Sequence, residues 1–202
     1  MNETWVQANP SPRNKSAAML MTEEKQKMLA SMVTAPYMAL ATMAICRPRK
    51  ISGNQFRHMA ATRDILIDYG YIDGILHKAA LVHDLLEDIN EFDHQLIINC
   101  DHDGPEVYKL VVEVTKQPYE SKIDFLKRIY DQGSDKACLI KSADRIANLC
   151  DVMFLMENEF ITRLCEESEK YILPIAARVS GDMCTEISDL IAKARWLLSV
   201  LK

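Results

Sequence analysis

Few residues in this chain mark turns, because its 202 positions include only six glycines and seven prolines. These two residues are the strongest local breaks in regular structure, so their scarcity favours long helices over many short strands. Apolar residues recur at spacings of three and four along most of the chain, which is typical of amphipathic helices. The predicted helices begin after Thr22 and then cover about residues 54–69, 74–88, 104–115, 120–131, 134–157, 159–178 and 183–201. The sequence therefore predicts an all-α, single-domain helical bundle.

The length suits one compact domain with a sizeable core. Residues 1–18 are polar and are predicted to be a disordered tail, which leaves 19–202 for the domain. Six scattered cysteines form no CxxC pair, so we expect reduced, mostly buried thiols and a cytoplasmic protein. Six methionines between Met19 and Met43 are expected to pack in the core. No apolar run approaches the ~20 residues of a membrane helix, so no membrane association is expected.

The formal net charge of -5 bears on the class of ligand. A general nucleic-acid binder needs an excess of Lys and Arg on one face, and the overall balance argues against that class. A small phosphorylated substrate is compatible with an acidic chain, since a bound cation can supply local positive charge. The charge therefore favours a small-molecule ligand over a nucleic acid.

A His-Asp pair, His83 and Asp84, interrupts an apolar stretch. Buried polar groups need partners, because an unpaired one costs a few kcal/mol and an unpaired charge more. If one helix covers residues 74–88, His83 lies one turn before Glu87, and Asp84 one turn before Asp88. Three carboxylates and one imidazole then share a single turn. A divalent cation is the simplest way to offset their mutual repulsion.

Further candidates occur before and after this pair. Downstream, Lys141, Asp144 and Asn148 are spaced so that they share one helical face. Upstream, His58 begins a predicted helix, and by itself it would more often be a core histidine than a ligand. The remaining histidines are assigned to the core or the surface: His77, His94 and His102.

The spacing of these residues resembles the H…HD…D signature of the HD phosphohydrolase superfamily. His58 is followed 25 residues later by His83-Asp84, and Asp144 comes 60 residues after that pair. The resemblance implies an HD-type bundle that binds a metal through His58, His83, Asp84 and Asp144. Two imidazoles and two carboxylates form a mixed nitrogen and oxygen site that suits Mn²⁺, Fe²⁺ or Zn²⁺.

A narrower resemblance is to the hydrolase domain of the Rel/Spo homologue family. Five segments match in order and spacing: Arg49–Gly53, His58, His83–Asp88, Val114–Lys116 and Lys141–Leu149. These domains remove the 3′-pyrophosphate from guanosine tetra- and pentaphosphate, (p)ppGpp, with Mn²⁺ as cofactor. The resemblance implies that Glu87 and Asp88 help to activate the attacking water. It further implies that Arg49, Lys50 and Lys141 contact the base and phosphates, and that Asn148 contacts the nucleoside.

Two departures from the family pattern affect the substrate more than the metal. Met59 replaces the proline that usually follows the first metal histidine, and Ala147 replaces an aromatic residue or histidine before the asparagine. The missing ring predicts extra space beside the base and looser selection of guanine. Two other functions therefore remain open: a phosphatase acting on another nucleotide or a phosphorylated dinucleotide, and a non-catalytic domain that senses a nucleotide.

Overall fold

The computed structural model describes residues 21–50, 53–152 and 157–200. Within these ranges the chain is helical and contains no β-strand, apart from one isolated antiparallel bridge between Pro48 and Asn54. The α-helices are α1 (Glu23–Ser31), α2 (Ala35–Ala41), α3 (Gln55–Asp68), α4 (Gly74–Val82), α5 (Leu85–Asp88), α6 (Gln95–Ile98), α7 (Gly104–Val114), α8 (Lys122–Gln132), α9 (Asp135–Val152), α10 (Asn158–Glu167), α11 (Leu173–Val179) and α12 (Gly181–Val200). The all-α prediction is confirmed, whereas the predicted tail at 1–18 lies outside the described residues.

Polar side chains define where several helices begin. Thr22 accepts a hydrogen bond from the Lys25 N–H and caps α1 as expected. Asn54, Asp73 and Ser121 cap α3, α4 and α8 in the same way, each accepting from the N–H three residues further on. The caps of α3 and α8 fix the starts of two helices whose first residues, Gln55 and Lys122, border one cleft.

The core is built around α9, which packs against α3, α11 and α12. Helix α4 is buried from Leu76 to Val82 and packs between α3 and α7. The inward side of α9 is lined by small and branched residues: Ala137, Cys138, Ile140, Ala143 and Ile146. Because both α4 and α9 are central, polar residues that they carry are held on rigid elements.

Two of the predicted helices are interrupted. The helix expected at 74–88 ends at Val82 and resumes as α5 at Leu85, so that prediction was wrong at His83 and Asp84. The helix expected at 159–178 runs from Asn158 to Val179 but includes a π-helical segment at Ser168–Ile172. In the segment predicted at 134–157, α9 extends to Val152, and 153–156 lie outside the described residues.

Two smaller expectations also need correction. Met28 and Met43 are each 45% exposed, so these methionines do not pack in the core as predicted. Helix α1, which carries Met28, buries none of its residues. All six cysteines are free, but Cys46 and Cys150 are exposed rather than buried.

Candidate metal centre and cleft

Residues far apart in the sequence meet where α3, the α4–α5 turn and α9 come together. His58 lies in the second turn of α3, and its Nε2 is 3.0 Å from Asp144 Oδ1 and 3.6 Å from Asp84 Oδ2. His83 Nε2 lies 3.1 Å from Asp84 Oδ1. One donor atom from each of His58, His83 and Asp84 falls within 4.8 Å of the others. Asp144 adjoins this group through His58.

The orientation of His83 is set by the backbone. Its Nδ1 lies 2.8 Å from the Ala80 carbonyl oxygen, which cannot donate, so Nδ1 carries the proton and donates it. The opposite nitrogen, Nε2, is buried and forms no hydrogen bond within the described part of the chain. A buried nitrogen that forms no hydrogen bond and lies 3.1 Å from the Asp84 carboxylate has the environment of a metal ligand.

Asp144 is held from three sides. Lys141 Nζ lies 2.6 Å from Oδ2, and the Asn148 side-chain amide donates to Oδ1 at 2.6 Å. His58 Nε2 is the third partner. The predicted shared face of Lys141, Asp144 and Asn148 is therefore present on α9. Lys141 and Asn148 both border the cleft, and both also bond to Asp144, a candidate metal ligand.

Asp84 has a partner that the sequence reasoning missed. The Gln55 side-chain amide donates a hydrogen bond to Asp84 Oδ2. Gln55 precedes His58 by three residues on α3, so helical spacing could have placed both on one face. This bond fixes the rotation of the Asp84 carboxylate.

The charges at the centre favour a cation. Burial alone would lower the pKa of His83, but the negative charge of Asp84 and its contact with the ring raise it to about 9. Burial would raise the pKa of Asp144, yet the ammonium of Lys141 and the His58 contact hold it well below its usual range. The field of the two carboxylates thus stabilises positive charge at this point.

Glu87 and Asp88 follow in α5, beside the centre. Both of their N–H groups bond to the Asp84 carbonyl, so the short helix starts from the turn that carries Asp84. Glu87 Oε1 accepts the backbone N–H of Lys116 at 2.7 Å. Burial raises the pKa of Glu87, and burial together with the charges of Asp84 and Glu87 raises that of Asp88 to about 6.

All of the predicted site residues except His83 border one cleft of about 530 Å³. That volume is in the range of small-molecule sites. The cleft gathers basic side chains although the whole chain is acidic: Arg49, Lys50, Lys116, Lys122, Lys141 and Arg145. It also includes apolar side chains that the sequence reasoning did not single out: Pro48, Phe125, Leu126, Phe160 and Leu164. Phe125 supports Lys141, whose Nζ lies 5.4 Å from the ring centroid.

Arg49 is fixed at one side of the cleft. Its Nη1 is 2.6 Å from Asp151 Oδ2, and its Nη2 is 2.5 Å from Asn148 Oδ1. Asn148 therefore connects Arg49 to Asp144. Ala147 is only 4% exposed and is not among the residues that border the cleft, so the expected space beside the base is not seen there.

A second group of possible ligands has a different explanation. Asp101, His102 and Asp103 bring three donor atoms together. The ammonium of the buried Lys78 lies 2.6 Å from each of the two carboxylates, and Tyr37 donates to Asp101 at 2.7 Å. These contacts satisfy the carboxylates without a metal.

Comparisons with known proteins support the fold. No family model matches the chain, and no curated protein matches it in sequence. Among solved structures, the chain is similar to a metazoan ortholog of SpoT, described as hydrolysing ppGpp and playing a role in starvation responses. The TM-score is 0.61 and the identity 20%, over 85% of this chain and 95% of that one. The chain therefore shares the all-α fold of that structure. No helix in the described ranges is both long and apolar enough to span a membrane.

Proposed function

We propose that this protein is a metal-dependent phosphohydrolase that removes the 3′-pyrophosphate of (p)ppGpp. The observation that carries the proposal is the convergence of His58, His83 and Asp84 donor atoms within 4.8 Å, where His83 Nε2 is buried and forms no hydrogen bond to any described residue. The fold shared with a ppGpp-hydrolysing protein supports the choice of substrate. The four residues of the H…HD…D pattern are the ligands in this proposal, with Asp144 completing the set.

The donor set fits a divalent transition metal. Two imidazole nitrogens and two carboxylates suit Mn²⁺, with Fe²⁺ and Zn²⁺ as alternatives. Hydrogen bonds from Gln55 to Asp84 and from His83 to the Ala80 carbonyl orient the ligands from outside. When bound, such a cation activates water and offsets charge on a phosphoryl oxygen.

In this proposal Glu87 and Asp88 handle the proton of the attacking water. A carboxyl group with a pKa of about 6, as at Asp88, is a useful general base near neutral pH. The water oxygen bonds to the phosphorus next to the 3′ oxygen, and the bond from that phosphorus to the 3′ oxygen breaks. The 3′ oxygen leaves with a proton, so the products are pyrophosphate and the nucleoside that keeps its 5′-phosphates: GDP from ppGpp and GTP from pppGpp.

The cleft cations account for binding of a polyanion. Lys141 lies beside Asp144, where it can contact the reacting phosphates. Arg49 offers a planar guanidinium held by Asn148 and Asp151, which suits stacking on a base. Lys50 borders the same side of the cleft.

The proposal is tested by assaying the Mn²⁺-loaded protein with ppGpp and with its adenine counterpart, and separating the products by chromatography. We expect pyrophosphate and GDP in equal amounts from ppGpp, and no turnover after chelation. A panel of other phosphorylated nucleotides and dinucleotides serves as the comparison. If one of these is hydrolysed with a kcat/KM at least tenfold above that for ppGpp, the proposed substrate is wrong. If nothing is hydrolysed although nucleotides bind, the protein is a sensor.

A further inference from the structure

One carboxylate outside the cleft connects two of its cations. Glu167 ends α10, and its Oε2 lies 2.7 Å from the ammonium of Lys122 at the start of α8. Its Oε1 accepts a hydrogen bond from the guanidinium of Arg145 on α9. Lys122 and Arg145 border the cleft, whereas Glu167 does not. Glu167 therefore acts on the cleft through these two residues.

Arg145 is the buried member of the trio formed by Glu167, Lys122 and Arg145. Its side chain is 7% exposed, and it donates to Ser168 Oγ at 2.9 Å and to the Leu164 carbonyl at 3.4 Å. Ser168 is fully buried and begins the π-helical segment that follows α10. Such segments are frequent at functional sites. The position of Glu167 is thereby tied to buried groups rather than to the surface.

Lys122 is the most exposed member of the trio, since 61% of its side chain is exposed. A lysine so exposed has many rotamers, and fixing it in place has an entropy cost. Pairing with Glu167 restricts those rotamers before a ligand arrives. Because two cations share one carboxylate, the trio keeps a net positive charge toward the cleft.

We propose that Glu167 is a positioning residue that holds Lys122 at the cleft rim to bind a phosphate group of the substrate remote from the metal. The inference rests on the proposed function and refines it, because it assigns the cleft a substrate with phosphate groups at both its 3′ and its 5′ positions. The 3′-pyrophosphate would lie beside Lys141 and the proposed metal ligands, and Lys122 would contact the 5′-phosphates.

The test compares two substrates, ppGpp and a guanosine 3′-pyrophosphate without 5′-phosphates. Glu167→Gln should raise KM for ppGpp about tenfold, the effect of one lost charge-assisted contact, and leave kcat unchanged. The truncated substrate should show no change in KM. Lys122→Met should have the same effect, and the double variant no more than either single variant. Glu169→Gln is the matched control, because Glu169 pairs with the half-exposed Arg195 and does not border the cleft.

The outcomes separate this inference from the proposed function. If Glu167→Gln raises KM equally for both substrates, or lowers kcat alone, Glu167 has only a structural role and the inference is wrong. Lys122→Met tests the same contact should Glu167→Gln fail to fold, and an unchanged KM in that variant also overturns the inference. If the wild-type protein neither binds nor hydrolyses ppGpp, the proposed function fails and this refinement fails with it.

Discussion

Replacing Asp88 by asparagine should stabilise the metal-free protein while it removes a proposed general base. The fold raises the pKa of Asp88 from 3.8 to about 6, because the carboxylate is partly buried and lies near the charges of Asp84 and Glu87. Since the folded state holds the proton more tightly than the unfolded state, the ionised group destabilises the fold. The penalty is absent below pH 3.8, grows as the pH rises, and is complete above about pH 6.

The size of the effect follows from that interval. The pKa of Asp88 differs between 3.8 in the unfolded state and about 6 in the folded state. At about 1.36 kcal/mol for each pKa unit, this difference is equivalent to about 3 kcal/mol. Solvent screens a half-buried carboxylate, so we expect Asp88→Asn to gain about 1–2 kcal/mol in the free energy of unfolding at pH 8. About half of that gain should remain at pH 5, where the unfolded state is mostly ionised and the folded state is mostly protonated.

Urea denaturation of the chelator-treated protein at both pH values measures the gain. Asp131→Asn is the matched control, because Asp131 is an exposed carboxylate on α8, and it should change stability by less than about 0.5 kcal/mol. If Asp88→Asn is no more stable than the wild type at pH 8, the fold does not disfavour this charge. A gain that is as large at pH 5 as at pH 8 would likewise refute an electrostatic cause.

Two further substitutions test contacts around the site. Arg49→Lys should raise KM for ppGpp while leaving the metal content unchanged. The reason is that a single ammonium cannot reproduce the two contacts of the guanidinium to Asn148 and Asp151. An unchanged KM would count against a substrate role for Arg49. Lys78→Met should cost about 2–4 kcal/mol in urea denaturation, because it leaves two carboxylates facing each other without a cation. Its control is Lys136→Met, which removes a half-exposed ion pair and should cost about 0–1 kcal/mol.

Periodicity predicted the helical class well because the apolar spacing is regular over most of the chain. It missed the break between α4 and α5, since no Gly or Pro marks that position. The structure supplies a local reason. His83 Nδ1 donates to the Ala80 carbonyl, the group that accepts the N–H of residue 84 in an uninterrupted helix. A side-chain bond that competes with the backbone leaves no signal in hydrophobic periodicity.

The convergence of the proposed metal ligands was predictable because their residue types and spacing are unusual together. Their partners were harder to find, since contacts between helices depend on packing that one sequence does not specify. Glu167 illustrates this, because it lies 45 residues from Lys122 in the sequence, and only the packing of α8, α9 and α10 brings the charges together. Gln55 was within reach of helical spacing but has no distinctive neighbours.

Metal content and turnover, measured on the same samples, test the proposed centre most directly. We expect about one Mn²⁺ per chain in the wild type by elemental analysis. Asp144→Asn should lose both metal and turnover. Asparagine is chosen because its side-chain oxygen can still accept a hydrogen bond from the Lys141 ammonium, so the fold is preserved. Glu87→Gln should keep the metal and lower kcat by roughly 10²–10⁴. Full metal occupancy in Asp144→Asn, or an equal loss of metal in Glu87→Gln, would contradict the assignment of ligands and proton-handling groups.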